Sequence, residues 1–182
     1  MTTHDLFVGR FQPFHLGHAE IVKNMNNPVI VIIKGVGTAA SEKNPFSVDQ
    51  QISMIETVFS SGVHIHTAKN GYVPDIIATL KQEGIIVTRV FAGNQDGDKR
   101  LDDYKRQLRQ YNEKNVYCAL TDIEFIESPR LQSATSVRLA LKTSDYDAFR
   151  RMMPPQLNTR DVFTSLQHII NIRNVGTSNE TP

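Results

Sequence analysis

At 182 residues, with 40% hydrophobic and 21% charged residues, the chain has the length and make-up of a soluble globular domain with a continuous core. A net charge of +1 supplies no global field for nucleic acid or an acidic membrane. A single cysteine, Cys118, excludes an intramolecular disulfide and a cysteine-rich zinc site. No apolar run approaches a membrane span, and the polar residues 1–5 do not look like a secretory leader, so a cytoplasmic location is the default expectation.

In chain order, residues 6–25 (LFVGRFQPFHLGHAEIVKNM) read as a short apolar strand, a tight turn and a helix opened by His15-Leu16-Gly17-His18. The run 29–34 (VIVIIK) reads as a fully buried strand followed by a polar loop from Gly35. Ser47 can cap a helix to about residue 60, with Ile52, Ile55, Val58 and Phe59 at helical spacing. A third strand is expected over 63–68, a helix over 74–83 stopped by Gly84, and a fourth strand over 85–92 ending at Gly93. A charged helix should follow over 99–111, and a fifth strand should lie within 116–126, with Cys118 a small core residue. Helices are expected from Ser133 to about residue 141, over 145–153 and over 159–172, with a frayed polar tail over 173–182. Alternation of this kind predicts an α/β fold, a parallel sheet with helices on both faces and a helical C-terminal part. Residues 1–172 would form one domain. Ligands of such sheets bind beyond the carboxyl ends of the strands, where the turn at Gly9 and the loops at Gly35 and Gly93 should gather.

The first turn looks built for a polyphosphate. A helix N-terminus offers N–H groups without intrahelical acceptors and the positive end of the helix dipole. Arg10 adds a guanidinium, His15 and His18 can share one face, and Gly17 lets a ligand lie against the backbone. Further on, Ser133 or Thr135 can cap a helix whose first turns carry Arg138, a planar cation suited to phosphate oxygens. Gly93 permits close approach of a base or ribose, and Asp96 could accept from ribose hydroxyls. Residues 99–114 carry a basic excess interleaved with Tyr104 and Tyr111. A solvated helix with pairs such as Asp102 and Arg106 is preferred there to a nucleic-acid surface. His64 and His66 share a strand face without a third ligand, so no protein metal site is assigned. A dinucleotide glycine fingerprint and a P-loop lysine are both absent.

GRFQPFHLGH resembles the signature of the HxGH nucleotidyltransferases, in the form found in archaeal-type nicotinamide mononucleotide adenylyltransferases. SATSVR (133–138) resembles the second signature of that family, SxTxxR, and FRRMMP (149–154) resembles the segment after it. The loop 35–46, ending Asn44-Pro45-Phe46, resembles the loop after the family's second strand. Relatives often carry Gly-Glu-Arg just beyond, where this chain has Val48-Asp49-Gln50. The resemblance covers residues 6–157 and implies a Rossmann-like nucleotidyltransferase domain that moves a nucleotidyl group to a phosphate-bearing small molecule, with pyrophosphate released. It implies His15, His18 and Arg138 as catalytic residues, and Gly9, Arg10, Phe11, Gly17, Lys43, Asn44, Gly93, Asp96, Ser133 and Thr135 as nucleotide-binding ones. Tyr72 and Asp75 would hold the acceptor, with Tyr72 a stacking surface for a pyridinium ring. ATP with Mg²⁺ and nicotinamide mononucleotide are the expected substrates, without nucleic-acid or membrane partners and with a homo-oligomer left open. Another adenylyl- or cytidylyltransferase, or a nucleotide-binding module without turnover, is the alternative.

Overall fold

The structure is a computed structural model that describes residues 1–35, 41–94, 99–129 and 132–176. Its elements run β1 (Thr3–Gly9), α1 (Leu16–Lys23), β2 (Pro28–Ile33), α2 (Val48–Val58), β3 (His64–Ala68), α3 (Val73–Gln82), β4 (Ile86–Asn94), α4 (Arg100–Lys114), β5 (Glu124–Pro129), α5 (Ala134–Lys142), α6 (Tyr146–Met152) and α7 (Arg160–Gly176). They gather into two compact units. Met1–Gly9, Ile21–Val36 and Gly62–Arg130 form one; Arg10–Glu20, Gly37–Ser61 and Leu131–Pro182 form the other. No helix among the described residues is long and apolar enough to cross a membrane.

The first unit is a five-stranded sheet, all parallel, in the order β3-β2-β1-β4-β5. Val29, Ile30, Val31 and Ile32 of β2 are each no more than 1% exposed, so successive side chains are covered on opposite faces, as a parallel strand requires. One face joins a cluster in which Leu6, Val8, Val29, Val31 and Val90 meet Val73, Ile76, Ile77 and Leu80 of α3 and Tyr104 of α4. Strand order runs outward from β1 to β3 on one side and from β4 to β5 on the other, so the switch in order falls between β1 and β4. Because all strands are parallel, Gly9 closing β1, Gly35 after β2 and Gly93 near the end of β4 lie toward the same sheet edge. This is the parallel sheet that the alternation predicts, in the Rossmann-like form that the family resemblance implies.

Several details differ from expectation. The fifth strand begins only at Glu124, and residues 116–118 form a 3₁₀ turn that leaves Cys118 exposed rather than in the core. Val116 and Tyr117 are exposed in this turn; apolar character alone does not distinguish a surface turn from a strand. Gly93 is buried within β4, paired with Ser128, rather than in the loop that follows. Arg106 pairs with Asp103 at 2.6 Å, not with Asp102. Tyr104 is buried in the core cluster and Tyr111 packs against it, so neither tyrosine stands outward among the basic residues of α4. β1 starts three residues before the apolar run, because Asp5, 2% exposed, is satisfied inside the fold. Its carboxylate accepts from Asn26 N–H at 2.6 Å and from Arg89 Nε at 2.8 Å, with a second short contact to the Arg89 guanidinium.

Capped helices make up much of the second unit. Ser47 accepts from Gln50 N–H while the Gln50 side chain accepts from Ser47 N–H, a full capping box at the start of α2. Ser133 caps α5 and Asp145 caps α6. Packing of α5, α6 and α7 centres on Phe149 and Phe163, whose rings meet edge to face at 5.2 Å. α7 continues to Gly176, four residues past the expected end, and residues 177–182 lie outside the described ones.

Candidate active site

The chain leaves β1 through a constrained turn. Phe11 adopts φ 51, a left-handed conformation that costs a residue with a side chain about 1–2 kcal/mol, and the Gln12–Pro13 peptide is cis. His15 then precedes α1. Its carbonyl accepts the first helical bond, from Ala19 N–H at 3.0 Å, so it stands at the N-cap. His18 N–H donates to His15 Nδ1 at 3.4 Å, and His15 N–H donates to His18 Nδ1 at 3.2 Å. This is the reciprocal pattern of a capping box, with two imidazoles in place of the usual hydroxyl and carboxamide. The rings stack with centroids 3.6 Å apart and 19° between planes.

The exchange settles the tautomers. A ring nitrogen that accepts an N–H carries no proton, so each neutral imidazole bears its proton on Nε2. An imidazole with its proton on Nε2 is a donor there, the polarity that phosphate oxygens require. Phe11 and Phe14 hold His18 from the sides, with ring centroids at 4.9 and 5.4 Å. Phe11, expected beside the nucleotide, is 2% exposed and serves as this wall. Gly17 is glycine for a concrete reason: a Cβ there would lie 3.0 Å from His15 Cε1 and 3.1 Å from its Nδ1.

Gln12, one letter of the GRFQPFHLGH segment, has a larger part in the structure. Its buried side chain accepts from Phe46 N–H and donates to the Phe46 carbonyl, both at 2.9 Å. Its own carbonyl accepts from the Arg138 guanidinium at 2.6 Å. One residue thus joins the histidine turn, the segment before α2 and the arginine of α5. The signal available in sequence was an amide beside a proline in an apolar setting, a residue type that is buried only when paired.

Arg138 is half-buried on α5 and also donates to Thr135 Oγ1 at 3.3 Å. Burial pulls its pKa down, a shift partly opposed by the nearby Glu42. The Ser133 hydroxyl is occupied as the helix cap. Asn44 closes a local turn with Ser41, its backbone N–H 3.1 Å from Ser41 Oγ, and Lys43 beside it is exposed. Arg10 is exposed at the start of the turn. His15, His18, Gly17, Arg10, Phe11, Lys43, Asn44, Ser133, Thr135 and Arg138 therefore all belong to the second unit.

The remaining residues belong to the first unit. Tyr72 precedes α3, half-buried, with its hydroxyl donating to the Gln107 carbonyl at 3.4 Å. Asp75, in the first turn of α3, lines a cavity of about 320 Å³ with Lys69, Asn70, His66 and Glu83; Tyr72 is not among its lining residues. His66 Nδ1 lies 3.4 Å from Glu83. Gly9 ends β1, Gly93 lies within β4 one residue before its end, and Asp96 lies outside the described residues. Among those described, no cluster of three or more His, Cys, Asp or Glu could hold a metal ion.

A parallel sheet with this switch point, and a strand feeding a helix capped by HLGH, give the chain a Rossmann-like nucleotidyltransferase fold. The model of the Cytidylyltransferase-like family matches residues 6–140, and the chain belongs to that family. It is 49% identical over 53 residues to the nicotinamide-nucleotide adenylyltransferase of Archaeoglobus fulgidus, which covers 28% of this chain and 30% of that protein. The match to the same-named protein of Methanococcus aeolicus is 47% over 53 residues, covering 28% and 31%. The aligned stretch thus spans about a third of these curated relatives. Among solved structures, nicotinic acid mononucleotide adenylyltransferase of Plasmodium falciparum complexed with APC superposes with a TM-score of 0.57 at 13% identity, covering 93% of this chain and 96% of that one. Thermotoga maritima TmcAL bound with alpha-thio ATP gives 0.54 at 14% identity, covering 97% and 56%. At these identities the likeness is one of fold.

Proposed function

We infer that the protein transfers AMP from ATP to nicotinamide mononucleotide, giving NAD and pyrophosphate. The observation that carries this reading is the imidazole pair that caps the N-terminus of α1, the positive end of the helix, in a chain of the Cytidylyltransferase-like family. The acceptor's phosphate oxygen attacks the α-phosphorus, the bond from that phosphorus to the bridging oxygen breaks, and pyrophosphate leaves. No covalent enzyme intermediate is required. The chain's part is to align the reactants and meet the charge that builds on the phosphates. His15 and His18 donate to the triphosphate through the transition state. Arg138, with Arg10 and Lys43, neutralises the departing β and γ groups. ATP enters as its Mg²⁺ complex, with the ion carried by the phosphates. Surrounding protein groups are N–H donors and cations, which suit phosphate oxygens rather than a metal ion.

Nicotinamide mononucleotide is the acceptor favoured by the identity shared with the archaeal relatives. Tyr72 would supply a face for the pyridinium ring, worth about 0.5–2 kcal/mol. The family description keeps a cytidylyl donor as the second reading. One experiment addresses both: the chain is given ATP and CTP together, with nicotinamide mononucleotide, nicotinic acid mononucleotide and other phosphorylated acceptors, and the products are identified by mass spectrometry. The expected product is NAD from ATP, with nicotinamide mononucleotide bound more tightly than its acid analogue and more weakly by Tyr72→Ala. If neither mononucleotide supports pyrophosphate release, this acceptor assignment falls and the family membership stands.

A further inference from the structure

α5 presents a second cation one turn beyond Arg138. Lys142 is four residues on, hence on the same helix face, with its side chain 30% exposed. Its ammonium donates to the carboxylate of Glu42, a residue 100 positions away on the segment that also carries Lys43 and Asn44. Glu42 is itself 74% exposed. Its carboxyl is held below the usual range first by the Lys142 hydrogen bond and charge, and further by the charges of Arg138 and Lys43. A single acid thus lies in the field of three cations, two of which, Arg138 and Lys43, were singled out for phosphate binding.

An exposed ion pair of this kind contributes little to stability, too little to explain the arrangement as a brace. It is weak enough to be displaced, and a triphosphate carries several charges where Glu42 carries one. Resting on the reading that this unit holds a nucleoside triphosphate, we propose that Lys142 is a further phosphate-binding residue and that the Glu42 carboxylate is its internal stand-in anion, expelled when the triphosphate binds. Lys142 lies beyond the SATSVR segment, so the motif gives no hint of it.

The two partners then act with opposite signs on triphosphate affinity, and Lys142→Arg restores it, whereas breaking a purely structural pair lowers stability alike from either side. Calorimetry on the full chain with MgATP, AMP and inorganic tripolyphosphate reads this directly. Glu42→Gln should tighten ATP and tripolyphosphate by about threefold to tenfold, and Lys142→Met should weaken both by about tenfold, on the scale of one charge-assisted contact. AMP should bind alike to all three proteins, Lys142→Arg should recover most of the loss, and melting curves should be superimposable. Shifts of the same sign in both variants, or no shift in either, overturn the proposal. The outcome separates the two readings. Opposed tripolyphosphate shifts without any nucleotidyl transfer would sink the proposed function and keep this site. Normal transfer with an unchanged KM for ATP in both variants would do the reverse.

Discussion

At Gly17, helix propensity and the imidazole pair pull in opposite directions. Alanine is the better helix former by about 1 kcal/mol, yet its Cβ would meet the His15 ring at 3.0 Å. His15 is 0% exposed, so the ring has no solvent to swing into, and the stack with His18 must shift. Gly17→Ala is expected to leave the melting temperature within a few degrees while turnover falls about tenfold to a hundredfold, the scale of a sub-ångström to 1 Å misplacement. Unchanged turnover would mean that the ring positions do not matter to the chemistry. His18→Ala should cost at least about two orders of magnitude in turnover, as loss of one transition-state donor does. Circular dichroism should show the protein folded, and near-normal rates would remove His18 from the proposed role.

Elements are coupled through single polar residues, and Gln12 is the clearest case. Its carboxamide pairs with both backbone groups of Phe46 just ahead of α2, and its carbonyl orients Arg138 on α5. Gln12→Ala leaves two buried backbone groups of Phe46 without this partner, though Gln51 Nε2 still reaches the carbonyl at 3.2 Å. The expected cost is about 1–3 kcal/mol in stability. Alanine keeps the carbonyl to which Arg138 donates but loses the Phe46 pairing that holds the turn carrying it, so a double-mutant cycle of Gln12→Ala with Arg138→Ala should be non-additive in KM for ATP. Additive effects would separate the two. In the sheet, Asp5 ties the start of β1 to Asn26 and to Arg89 of β4. Asp5→Ala is expected to destabilise by about 2 kcal/mol in urea denaturation without changing the affinity for ATP.

For the whole molecule, ligand binding should appear as stability by mass action. ATP at a hundred times its dissociation constant adds about 2.7 kcal/mol, or several degrees of melting temperature for a chain of this size. Arg138→Ala should lose most of this shift with ATP and little of it with AMP, because the arginine is assigned to the departing phosphates. An equal loss with both nucleotides would place the side chain elsewhere.

Much of this was legible in the residues. VIVIIK had to be a buried parallel strand because it carries no polar side, and Ser47 and Ser133 had to begin helices because their hydroxyls satisfy N–H groups that no helix can satisfy itself. HLGH and SATSVR marked two helix starts by local chemistry alone. Long-range partners could not be read in the same way. Asp5 looks like surface until Arg89 arrives from 84 residues away, and Gln12 like a motif letter until Phe46 and Arg138 reach it. Cys118 looked like core because apolar neighbours say nothing about what covers them. Local sequence determined which segments begin helices and which run as buried strands. Tertiary structure alone decided which groups the two histidines cap, which polar groups are buried, and which acid lies among the cations, because each depends on a partner that only the folded chain brings near.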